Sequence, residues 1–77
     1  MNDLEARIQL LEETVANLKK EFRRIKTTVN KLEKLGIIPP TEIIVKKETI
    51  EVELKKQKQE LKALKKVVKL LDYIKRA

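Results

Sequence analysis

The chain has 77 residues, 19 of them Lys or Arg against 12 Asp or Glu, giving a formal charge of +7. It contains no Cys, His, Trp or Ser, which removes thiolate, serine and imidazole catalysis and the usual nitrogen and sulfur ligands of zinc and iron. Disulfides are excluded as well, so stability has to come from a core or from a partner.

From the N-terminus, Leu4, Ile8, Leu11, Val15, Leu18, Phe22, Ile25, Val29 and Leu32 follow one another at alternating steps of four and three. The heptad pattern places Ile8, Val15, Phe22 and Val29 at a and Leu4, Leu11, Leu18, Ile25 and Leu32 at d, the narrow seam that coiled coils bury. Asn2, with Glu5 three residues on, has the form of a capping box, and Asp3 adds charge of the favourable sign. Lys31 and Lys34 suit a last helical turn, Gly36 a left-handed residue after it, and Pro39-Pro40 forbids continuation. The spacing predicts a helix over about 3–35 and a Gly/Pro turn over about 36–41.

The second half is less regular. Ile43, Ile50, Leu54, Leu61, Leu64, Val68 and Leu71 share one seam, interrupted by Lys47 and Gln57 and ending at Lys75. Thr41 is the expected N-cap of a helix over about 42–75, which would match the first in length. Against it, residues 41–54 are rich in β-branched side chains and IEVEL alternates, the pattern of a short β-hairpin that would delay the helix to near Thr49. The common register of Ile43 and Ile50 with Leu61 and Leu71 favours the continuous helix.

Charge order gives a separate argument for topology. Residues 1–18 hold one base and four acids (−3), 19–34 seven and two (+5), 35–53 two and four (−2), and 54–77 nine and two (+7). Folding at Pro39 sets residue i opposite roughly residue 77 − i, so that each block meets its opposite, as an antiparallel αα-hairpin requires. The expected fold is therefore all-α: a single domain over residues 1–77, an antiparallel two-helix coiled-coil hairpin.

A lone hairpin covers each seam from one side only, and 25 residues are Leu, Ile or Val. Leu10, Val67, Leu70 and Ile74 lie off the seam near the two termini, and Leu35, Ile37, Ile38, Ile44 and Val45 gather at the loop end. They point to a homodimer, most simply two hairpins forming a four-helix bundle. A parallel zipper of the first helix is the competing arrangement, with Arg7–Glu12 and Glu21–Lys26 as attractive pairs between chains. The Ile37-Ile38 tip reads as a dimer contact or as a docking point for another protein. The density of Lys, Glu and Ile is a thermophile-like composition.

No enzyme is expected. Glu12–Glu13 and Glu51/Glu53 are the close acid pairs, and neighbours one or two apart on a helix do not converge on one proton. Neither cofactor, metal nor small-molecule substrate is implied. No run approaches the ~20 apolar residues of a membrane span, and MNDLEARIQL has no signal-like character, so a cytoplasmic location is expected. Arg23 and Arg24, with Lys55, Lys58, Lys62, Lys65, Lys66 and Lys69 along the second helix, are candidate phosphate contacts. Lys outnumbers Arg 15 to 4, which leaves little provision for bidentate base reading. The expected function is oligomerisation and scaffolding through protein–protein contacts. The alternative is nonspecific binding to DNA or RNA backbone through the Lys stripe.

Overall fold

The computed structural model describes residues 3–76, so the expected cap at Asn2 lies outside the described residues. Two helices, α1 (Asp3–Lys34) and α2 (Thr41–Arg76), fold back on one another as a hairpin. No strand occurs among the described residues. The molecule measures 62 × 18 × 17 Å, one helix long and two helices wide, since 36 residues of α-helix rise about 54 Å. Its radius of gyration is 17.7 Å, whereas a compact chain of this length has about 11.5 Å. Each seam is covered by a single helix as a result. Leu11, Val15, Val29, Ile50 and Leu54 are buried, and most other seam residues are half-buried.

Backbone chemistry fixes the turn. The Ile37 amide donates to the Leu32 carbonyl at 2.9 Å and the Gly36 amide to the Glu33 carbonyl at 3.0 Å, the two bonds of a Schellman ending. Gly36 sits at φ 74°, a conformation that costs a side-chain-bearing residue about 1–2 kcal/mol. Pro39 precedes a proline and is kept out of the helical region. Pro40 is the first residue able to start α2, and its carbonyl accepts from the Ile43 and Ile44 amides at 3.0 and 3.3 Å. The cap position therefore belongs to Pro40, and Thr41 lies inside the first turn rather than capping it.

Residues 41–54 are helical throughout. Burial overrides their β propensity: Ile50 is drawn into the core and Ile43 is half-buried beside it. The Thr49 hydroxyl donates to the Val45 carbonyl one turn earlier, at 2.9 Å, a bond that helical geometry offers.

Two ion pairs join the helices, Arg7–Glu60 and Glu12–Lys65. Their residue numbers sum to 67 and 77, and they flank the seam, Arg7 and Glu60 at g, Glu12 and Lys65 at e. Residues level with one another across the seam therefore sum to about 72, midway between, and not to the 77 that folding at Pro39 suggests. In this register each a residue of α1 meets a d residue of α2 and the reverse, from Val29 with Ile43 down to Leu4 with Val68. The Schellman turn and diproline place the reversal a few residues earlier than the sequence midpoint. Leu71 consequently overhangs the start of α1 and is 47% exposed, so it does not belong to the seam. The charge blocks fit better in this register, because the boundary between residues 18 and 19 falls level with that between 54 and 53.

Gln57 lies half-buried on the seam, level with Val15, and its Nε2 donates to Glu53 Oε1 at 2.7 Å within its own helix. The amide is satisfied locally and contributes nothing to α1. Gln57→Leu should raise the melting temperature at fixed protein concentration by several degrees, on the order of 1 kcal/mol of added apolar burial; an unchanged or lower value would remove Gln57 from the core. Gly36→Ala should lower it by a similar amount through backbone strain alone, since an added Cβ meets nothing within 4 Å, and thermal unfolding by circular dichroism checks both.

Candidate functional site

The heptad register sorts the exposed residues to two sides of the hairpin. On the e side, α2 presents Lys58 and Lys65 at e, Lys55, Lys62 and Lys69 at b, and Lys66 at f, all within an arc of about 100° around the helix axis. α1 contributes Lys19 at e. Lys19, Lys58, Lys62, Lys65, Lys66 and Lys69 line a groove of about 440 Å³ between the helices, with Val15 and Leu61 as its apolar floor. Lysine suits this position because its methylene stem covers apolar surface while the ammonium stays in water.

Ion pairing in the groove is sparse. Lys65 Nζ lies 3.4 Å from Glu12 Oε1; the other five lysines have no salt bridge among the described residues. The e positions of the two helices form a ladder whose members sum to 77. Glu12–Lys65 is attractive and Lys26 faces Glu51, but Lys19 faces Lys58. One rung of the ladder therefore sets like charges against each other in the groove itself. Toward the start of α1 the wall turns acidic, where Glu5 and Glu12 join Lys65 and Lys69 around a neighbouring hollow.

The expected set of phosphate contacts divides in three. Lys58, Lys62, Lys65, Lys66 and Lys69 converge on the groove. Lys55 lies toward the loop, 4.0 Å from Glu51, and does not line it. Arg23 and Arg24 border a separate shallow hollow with Lys20 and Thr27, made by α1 alone, because b and c positions turn away from the partner helix. Lys19 is the residue that sequence reasoning missed. Its signal was its e position, since the rule that pairs Glu12 with Lys65 pairs Lys19 with Lys58.

The other side carries the apolar residues left over from the seam. Leu10 at c of α1 and Val67, Leu70 and Ile74 at g and c of α2 face that side near the termini; Leu10, Leu70 and Ile74 are 64%, 62% and 67% exposed. The Arg7–Glu60 pair lies beside them. At the loop end Ile38 is 90% exposed, with Leu35, Ile37 and Val45 exposed around it.

Glu12, Glu51 and Glu53 are each engaged with Lys65, Lys55 and Gln57. No group of three or more potential metal ligands occurs among the described residues, and no helix is long and apolar enough to cross a membrane. The chain matches no protein-family model, no curated protein and no solved structure.

Both partners of the Glu12–Lys65 pair are about half exposed, which limits its contribution to under ~1 kcal/mol. Glu12→Gln should leave the midpoint of urea unfolding nearly unchanged; a loss of several kcal/mol would mean that the pair, and not the apolar seam, holds the register.

Proposed function

We propose that the chain is an assembly module that works as a homodimer, two hairpins associating through their apolar side into a four-helix bundle. The observation that carries this reading is surface area. The hairpin exposes 6552 Å², whereas a compact monomer of 9.0 kDa exposes about 4,850 Å². The surplus of about 1,700 Å² exceeds the ~800 Å² that each partner contributes to an ordinary interface. The apolar part available to a second hairpin lies on Leu10, Val67, Leu70 and Ile74, which are 42–67% exposed.

Each of these side chains, already partly buried in the hairpin, would add about 1–2 kcal/mol on full burial, enough over both chains to offset the entropy lost on association. The charged middle of the same side, including Arg7–Glu60, would lie at the rim and set register more than affinity. Two-fold symmetry allows the same patch to serve on both chains and closes the assembly at two. Arg7 and Glu12, which a parallel zipper would pair between chains, already have partners within the hairpin, and this favours the bundle over the zipper. The Ile37-Ile38 tip belongs to the same reading, as an end contact of the dimer or as an attachment point for a further protein.

Light scattering coupled to gel filtration at micromolar concentration should report about 18 kDa, twice the 9.0 kDa chain, and the double variant Leu70→Gln/Ile74→Gln should shift it to the monomer. A wild-type mass of 9 kDa would overturn the proposal.

A further inference from the structure

The lysine groove lies on the side of the hairpin opposite the apolar patch and is complete within one chain. The geometry points to a nucleic-acid strand as its ligand, held along α2 by its phosphates without reading of the bases. Four features of the groove carry this assignment. Six lysines converge on it, and only Lys65 has an acidic partner. Lys19 and Lys58, on different helices, oppose one another where the rungs on either side, Glu12–Lys65 and Lys26–Glu51, set opposite charges together, an arrangement that weakens the hairpin and is relieved by an anion between them. Lys58, Lys62, Lys65 and Lys69 recur at rises of about 4.5–6 Å, close to the separation of successive phosphates along an extended strand. Neither Arg nor any aromatic residue lines the groove, so the bidentate contacts that distinguish bases have no donor there and no ring is present for bases to stack on.

An acidic protein segment is the competing polyanion. It fits less well, because its carboxylates are interspersed with bulky side chains, whereas the narrow floor of Val15 and Leu61 leaves room for a continuous row of anions. The acidic wall at Glu5 and Glu12 ends the favourable path, so the strand runs from Lys69 toward the loop and does not continue past the termini.

Fluorescence anisotropy with labelled 20-nucleotide strands tests the assignment. Five unpaired lysines predict binding whose logarithm falls against log salt with a slope of about −3 to −4, alike for oligo-dT and oligo-dA. Lys58→Gln/Lys62→Gln should weaken binding at ~50 mM salt by more than ~10-fold and bring the slope to about −2. Lys46→Gln/Lys56→Gln removes the same net charge outside the groove and should change affinity by less than ~3-fold. Lys19→Glu should also bind less tightly while melting no lower than the natural chain, because it converts the repulsive rung into an attractive one. The Leu70→Gln/Ile74→Gln variant should keep the slope, which separates failure of the groove from failure of the dimer. No binding at ~50 mM salt, equal losses in the two charge-matched pairs, a strong preference between the two homopolymers, or polyglutamate binding as tightly as the strand would each overturn the assignment.

Discussion

Everything in this hairpin depends on the register of one apolar seam. Gly36, at φ 74°, and the diproline after it set where the chain reverses, and the reversal decides which residue of α2 lies level with each residue of α1. With level residues summing to about 72, eight seam positions of α1, from Leu4 to Val29, find partners on α2. A slip of one residue would turn the apolar stripe of one helix away from the other, and the burial of Val15, Val29, Ile50 and Leu54 would be lost. No polar contact on the surface has comparable weight, because the ion pairs between the helices are exposed and contribute tenths of a kcal/mol to about 1.

The same register divides the surface by chemistry. Lysines of α2 at b, e and f meet Lys19 along one side, while Leu10, Val67, Leu70 and Ile74 share the other near the termini. The formal charge of +7 is thus not a diffuse property of the chain. Much of the charge alternation along the sequence is taken up where basic and acidic blocks lie level across the hairpin, and the remainder is concentrated in one groove. The rung between Lys19 and Lys58 is unfavourable for folding, and an apolar seam this long tolerates it. Such a local conflict is what binding sites impose on otherwise consistent sequences.

Much of this was legible in the residues. Heptads from Leu4 to Leu32 gave α1 and its buried stripe, Gly36 and Pro39-Pro40 gave the turn, and the order of charge blocks gave the antiparallel arrangement. The errors have physical causes. The opposition rule was displaced by about five residues, because the Schellman turn closes the first helix before the midpoint of the sequence. That displacement alone explains why Leu71 was assigned to the seam although it overhangs α1. Thr41 has good capping chemistry, yet the restriction that one proline places on another put Pro40 at the cap. Lys19 lines the groove with the α2 lysines while Arg23 and Arg24 lie apart on α1, since a groove is made by two helices and its membership follows from cross-helix register, not from spacing along one chain.

The proposed assembly and strand binding would use different sides of the molecule, and this separation is the central claim. The mass of the complex formed with a saturating 20-nucleotide strand, resolved by light scattering into its protein and nucleic-acid parts, tests it most directly. Two chains carrying two strands is the expected composition, because the dimer leaves both grooves open. A complex of one chain with one strand would contradict it, by showing that the strand and the second hairpin compete for the same surface.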